Sequence, residues 1–354
     1  MKALILKINQ RRPEESKIAR AAEAIKKGGL VVFPTETVYG IGANALSEKA
    51  CRKIFRAKGR PRDNPLIVHV SGIEMARTVA EVPVVYNNII RRIWPAPITF
   101  IMKARKGLPA AVTAGLGTVA IRMPANKVAL ALIESSGVPI AAPSANISRR
   151  PSATTAQHAI KYFKNSVEVI IDSGRSEFGL ESTILDLRTF RILRPGAFTA
   201  ERIRKAFGRR PVITRETMGL GESADAISPG MKYRHYSPET PLFLFTGKKN
   251  RLRRILKGAG GRFAFVGSSE LSATIRMPGK YKMVLGSRKR PGKMASNLFD
   301  SLIRLDSLGA EFAVVESFGQ RGYGLAMMNR IRKASQHRSF RSLPELERLM
   351  KGAG

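Results

Sequence analysis

The chain has 354 residues, 44% of them hydrophobic, enough length and apolar content for two folded domains. Its single cysteine, Cys51, excludes an internal disulfide and any multi-cysteine zinc site. With 62 Lys and Arg against 26 Asp and Glu the net charge is +36, a surplus that attracts polyanions such as nucleic acid, although a basic proteome or a thermophile surface gives the same sum.

No apolar run approaches the roughly 20 residues that span a bilayer, and the start MKALILKINQRRPEES lacks a signal-peptide pattern, so the expectation is a cytoplasmic protein with no membrane role. ESKIARAAEAIKKGG puts Ile18, Ala21, Ala22 and Ile25 on one helical face and stops at Gly28 and Gly29, and LVVF follows as a buried strand. FPTETVYG then places Thr35, Glu36 and Thr37 just after that strand, where an α/β sheet keeps its ligand crevice. Ser47 caps a helix over EKACRKIFRAK, whose end delivers Lys58 and Arg60 into a loop carrying Arg62, Asp63 and Asn64. A strand, LIVHV, follows and contains His69.

Further strands are expected at ITFIMKA, TVAIRM, EVIID and STILDL, with helices near KVALALIESS and TAQHAIKYF, which makes the first 207 residues a mixed α/β domain. Thr118, Arg122, Ser144, Asn146, Ser148, Ser152 and Ser182 add hydroxyls, an amide and a cation to the loops and strand ends of that domain. Residues 208–238 lose periodicity among glycines, prolines and serines and read as a linker. Beyond it, PLFLF, RFAFVG, YKMVLG and EFAVVESFG suggest a smaller α/β domain over 239–354 with a mostly parallel sheet. Between Lys248 and Lys293 stand fourteen Lys or Arg and one acid, Glu270, with few aromatics for base stacking, so non-specific RNA binding through phosphates is open.

No GxxxxGK[ST] occurs, and the glycines of ESFGQRGYGLA lack GxGxxG spacing, so a phosphate site would have to use side chains. Lys58, Arg60 and Arg62 suit phosphate oxygens, yet from charge alone a solvated helix end explains them better. A lone His69 at the end of an apolar strand is more often a core residue than a catalytic one, and no Ser–His–Asp or cysteine nucleophile can be assembled.

In chain order, GGLVVFPTETVYGIGANA, KGRPRDNPLIVHV, WPAPITFIM, VAIRMP, PSANISRRPSATT, GLESTILDL and ILRPGAF closely resemble the threonylcarbamoyl-AMP synthases, the YrdC-like proteins. SPGMKYRHYSP and FGQRGYGLAMMNRIRKAS resemble that family's longer, two-domain members. The resemblance implies a twisted mixed α/β sheet with a large basic concave cavity over 1–207, a linker over 208–238 that reaches across it, and a smaller Rossmann-like domain over 239–354. It implies a nucleotidyltransferase that makes threonylcarbamoyl-adenylate and pyrophosphate from ATP, L-threonine and bicarbonate, with Mg²⁺ on the phosphates and no protein metal ligand. The product would pass to a transferase that modifies tRNA next to the anticodon.

By motif, the resemblance gives Thr35, His69, Arg122, Ala142 and Ser182 to threonine. It gives Lys58, Arg60, Asn64, Thr118, Ser144, Asn146, Ser152, Arg194, Arg234 and Tyr236 to ATP, with no protein nucleophile and with Lys58 and Arg60 acting by position and charge. Where the family favours glycine this chain has Ala96, Arg149 and Ser173, and Arg149 adds a cation beside the Ser144 loop. A pure RNA-binding module is the alternative from another class, and ATP turnover separates the two.

Overall fold

The computed structural model describes residues 2–221 and 236–352, which divide into two compact units. The first holds residues 2–148 and 152–217; the second holds 149–151, 218–221 and 236–352.

The first unit is built on one mixed sheet of eleven strands: β1 Leu4–Lys7, β2 Val31–Phe33, β3 Gly40–Asn44, β4 Ile67–His69, β5 Ala80–Glu81, β6 Ile98–Ala104, β7 Thr118–Arg122, β8 Ile140–Ala141, β9 Val169–Asp172, β10 Thr183–Asp186 and β11 Arg191–Arg194. Their order is β1-β9-β2-β3-β8-β4-β7-β6-β10-β11, with β5 paired to β6. Because side chains alternate between faces along a strand, each residue's parity fixes its surroundings. Val68, Phe100, Met102, Ile121 and Leu185 enter the main core, which also holds Cys51, Ile54 and Phe55 from the helix Glu48–Lys58. On the opposite face, the β1-to-β8 half is covered by the helices Glu15–Lys26 and Lys127–Ser136, whose Ile18, Ile25, Leu132 and Ile133 pack on Val31, Phe33, Ile140 and Val169.

The other half of that second face differs. Ile67, Ile101, Ala120, Ile184 and Leu193 form a small separate cluster to which no described helical residue of this unit belongs. His69 and Arg122 are paired in register at the ends of β4 and β7, two residues beyond Ile67 and Ala120, so both side chains stand on this same face.

Local chemistry agrees with the helix boundaries. Ser47 Oγ accepts from the Ala50 amide and caps the helix that ends at Lys58, and Gly59 follows in the left-handed region. Glu15–Lys26 buries Ile18, Ala21, Ala22 and Ile25, the four residues of the expected face. Part of the expected linker is fixed to the first unit: Val212 exchanges backbone hydrogen bonds with Phe190 and Ile192, and buried Thr217 donates to the Ile192 carbonyl at 2.6 Å. Such polar-rich chain has little periodicity because it is held through its backbone.

The second unit has a five-stranded sheet, β12 Leu242–Phe245, β13 Phe263–Ser268, β14 Lys282–Gly286, β15 Phe312–Glu316 and β16 Ser339–Phe340, in the order β14-β13-β15-β12-β16. Every pairing is parallel. Among the described residues no helix is long and apolar enough to cross a membrane.

Candidate functional site

The half-face that holds this small cluster carries polar groups as well. Arg122, 3% exposed, sends one guanidinium nitrogen 2.8 Å from Thr37 Oγ1 and another 2.6 Å from Glu36 Oε1, a carboxylate that is itself 2% exposed. The loop bearing Glu36 is held in place by its own bonds. Thr35 Oγ1 donates to the Val38 carbonyl at 2.6 Å and lies 2.8 Å from Thr37 Oγ1, while the Phe178 amide donates to the Glu36 carbonyl.

Beside them His69 is buried, its ring edge-on to Phe33 at 5.9 Å. Burial, then the neighbouring Arg122 guanidinium, push its pKa down from 6.5 to about 3, so the imidazole is neutral at physiological pH. Arg194 lowers it further, which places that cation in the same electrostatic neighbourhood.

A second bonded group adjoins. Ser182 Oγ lies 2.7 Å from Thr99 Oγ1, and Arg194 donates to both the Ser182 carbonyl and its hydroxyl at 3.1 Å. Gly196 allows this approach: a Cβ there would fall 2.3 Å from the Glu181 carbonyl oxygen and 2.5 Å from the Thr183 amide, so only glycine lets the RPG turn lie against this strand. Next in sequence, buried Glu181 accepts from Ser152 Oγ at 2.6 Å.

Lys58 anchors a third group. Its side chain is 1% exposed, and its Nζ donates to the carbonyls of Ser144 and Asn146. Burial, with Arg60 adding like charge, holds its pKa well below the usual lysine range. Lys58 therefore staples the 144–146 loop, a role that a solvated helix end would not have. Arg60 is half-buried and donates to the carbonyls of Asn64 and Pro65. Ala142 is buried beside Ile67, whose carbonyl accepts from its amide.

Several buried atoms in these groups have no hydrogen-bond partner among the described residues: Glu36 Oε2, Arg122 Nε, His69 Nδ1 and Asn64 Oδ1. An orphaned buried polar group costs about 1–3 kcal/mol. The first three, grouped around the ends of β4 and β7, are what a polar, charged ligand would satisfy.

Other expected site residues fall elsewhere. Thr118 shares the face of Arg122 but stands at the opposite end of β7, about 13 Å along the strand. The ring of Tyr236 is buried in the second unit, 5.2 Å from Phe299 and under the Arg330 guanidinium. An aromatic ring gains more from that apolar and cationic pocket than from open loop. Arg234 lies outside the described residues, as do Tyr233 and His235. Arg149 has φ +74°, the left-handed region where glycine is free of cost, and it groups with the second unit.

Comparison with known proteins fits this arrangement. The family model described as "Telomere recombination" (Sua5, YciO and YrdC) matches residues 23–196, and "Threonylcarbamoyl-AMP synthase, C-terminal domain" matches 198–336. The threonylcarbamoyl-AMP synthase of Pyrococcus abyssi is 42% identical over 350 residues, covering 95% of this chain and 98% of its own. The chain belongs to the threonylcarbamoyl-AMP synthase family. The family member from Bacillus subtilis is 40% identical over 336 residues, covering 92% and 95% of the two chains. The crystal structure of P. abyssi Sua5 complexed with L-threonine superposes with a TM-score of 0.88 at 40% identity, covering 96% of this chain and 99% of that one. The α/β expectation therefore holds.

FPTETVYG had put Glu36 and Thr37 at the expected ligand crevice without giving either to a ligand, and Thr99 had not been singled out at all. Thr99 had a sequence signal: it is the one polar residue in ITFIM, at even spacing from Ile101.

Proposed function

We propose that this chain makes threonylcarbamoyl-AMP and pyrophosphate from ATP, L-threonine and bicarbonate, supplying the group that a downstream transferase places on tRNA. Membership of a synthase family and the orphaned, nine-tenths-buried atoms Glu36 Oε2, Arg122 Nε and His69 Nδ1 support this reading. Threonine offers a carboxylate, an amine and a hydroxyl in a small volume. The cation Arg122 suits its carboxylate; Glu36 and neutral His69 suit its amine and hydroxyl, with Thr35, Ala142 and Ser182 as walls.

The condensation balances without a protein nucleophile. The free amine of threonine and bicarbonate give a carbamate and water. A carbamate oxygen then bonds to the α-phosphorus of ATP as the bond to the β-phosphate bridge breaks, and pyrophosphate leaves with its electron pair. Lys58 and Arg60, with Asn64 and the Ser144, Asn146 and Ser152 loop, are suited to the phosphates. Arg194 and Thr118 complete the nucleotide set. Mg²⁺ would ride on the ATP phosphates and supply charge neutralisation there.

The test is pyrophosphate release with ATP, threonine and bicarbonate each omitted in turn. Release is expected only with all three, and release undiminished without threonine would overturn the reading.

A further inference from the structure

Adenylate formation uses small molecules and leaves the cations of the second unit without a task. In an all-parallel sheet the carboxyl ends of the strands lie along one edge, and so do the loops that leave them. Those loops carry Lys248 and Lys249 after β12, Arg288, Lys289, Arg290 and Lys293 after β14, Arg321 after β15 and Arg341 after β16. Two observations fix the convergence. Lys249 and Arg288, from different loops, both reach Glu316 Oε1 at the end of β15, at 3.0 and 2.5 Å. A Cβ on Gly247 would stand 3.0 Å from the Arg341 carbonyl oxygen, so the ends of β12 and β16 touch.

The acids at this edge are already engaged. Glu316 is wholly buried and also accepts from the Ser268 amide and hydroxyl; Glu270 accepts from Ser287 Oγ and the Arg288 amide; Glu345 accepts from the Arg341 amide. Lys248, Lys289, Arg290 and Lys293 are exposed and make no ion pair among the described residues. Of the five helices that begin here, Lys249–Gly258, Pro291–Leu305 and Tyr323–Ala334 have no acid in their first turns, while Ser269–Ser272 and Leu343–Lys351 carry Glu270 and Glu345. Eight cations against three engaged carboxylates leave this edge at about +5.

We propose that this edge binds the phosphodiester backbone of RNA. The spread of unpaired cations over several loops fits a line of phosphates better than one small anion. Phe263 and Phe265 belong to β13 and help build the unit's own core, and the unpaired groups on the loops are cations, so contact with phosphate dominates over reading of bases. The choice of RNA as polymer rests on the proposed synthase function, in which the product is spent on a tRNA. The surface would hold the acceptor on the same chain that makes the labile adenylate.

The test uses the full chain, an unstructured fluorescent RNA and a series of salt concentrations. Changing Lys248, Lys289, Arg290 and Lys293 together to Gln should flatten the log–log salt dependence by about 0.7 for each phosphate no longer neutralised, up to about 3. A charge-matched variant at the opposite edge, Lys257, Arg262, Lys280 and Lys282 to Gln, should leave the slope near wild type. Equal flattening by both variants would mean diffuse net charge and overturn the proposal; so would displacement of RNA by equimolar inorganic pyrophosphate, which would mean a small-anion site. In the wild type, bound RNA should protect Lys248, Lys289 and Lys293 from an amine reagent and leave Lys257 and Lys280 reactive, and the reverse pattern would also overturn it. Pyrophosphate release stays unchanged in both variants, so a failed surface is distinguishable from a failed synthase reading.

Discussion

Each unit buries a carboxylate at the end of a strand or just beyond it, and the two are treated differently. In the second unit Glu316 is saturated: an amide, a hydroxyl, an arginine and a lysine all reach it. In the first, Glu36 has Arg122 on one oxygen and, among the described residues, nothing on the other, while Arg122 Nε and His69 Nδ1 are equally idle. A satisfied buried acid is a structural pin; an under-satisfied one holds hydrogen-bonding capacity for a visitor.

The largest effect that tests this contrast is Arg122→Leu. It strands Glu36 as an uncompensated buried charge and should lower the stability of the first unit by about 3–5 kcal/mol, read as the denaturant midpoint of that unit. Arg91→Leu, which breaks an exposed pair with Glu74, is the control and should shift it by less than about 1 kcal/mol. Equal shifts would mean that Glu36 reaches water.

Glu316→Leu comes next. Loss of a saturated pin should cost the second unit about 3 kcal/mol and leave threonine-dependent pyrophosphate release intact at temperatures where the protein is folded. A fall in release matching the fall in stability would erase the functional distinction between the two acids.

Arg60→Ala should do the reverse, sparing stability while removing charge-assisted bonds to phosphate worth about 1.5–3 kcal/mol, roughly a 10–150-fold loss in kcat/KM. An unchanged kcat/KM would return Arg60 to the role of a solvated helix end.

The effect that is smallest per step, read one pH unit at a time, is acid sensitivity. The folded pKa of His69 is about 3 against 6.5 unfolded, so above pH 6.5 both states are neutral and the group contributes no pH dependence. As pH falls from 6.5 towards 3 the unfolded state takes the proton first, and stability drops by about 1.4 kcal/mol per pH unit. His69→Gln should flatten that acid limb; an unaltered limb would mean that the imidazole is hydrated.

The sequence was most informative where structure is local. The face Ile18, Ala21, Ala22 and Ile25, the Ser47 cap and the strands at ITFIMKA and TVAIRM all follow from near neighbours, and each appears in the fold. The bonds of the site do not. Thr99 and Ser182 are 83 residues apart, Arg122 and Thr37 are 85, and Lys58 and Ser144 are 86. No period in the chain encodes them, since they exist only once β6, β7 and β10 are laid side by side. Tyr236 is a further case: it stands in a polar segment without a period, and its ring meets Phe299, far along the chain.

Cys51 gives the first unit its own clock. The thiol is wholly buried, points to the Asn44 carbonyl and is pushed up to about 12 by burial, so the folded unit presents almost no thiolate at neutral pH. As the chain's one cysteine, it reacts with an alkylating reagent only as fast as its helix and sheet part, whatever the second unit is doing. With opening and closing faster than alkylation, the labelling rate is the open fraction multiplied by the rate for a free thiol. A tenfold slowing on adding a ligand then equals about 1.4 kcal/mol of binding energy transmitted to that unit, obtained without a mutation or a catalytic turnover.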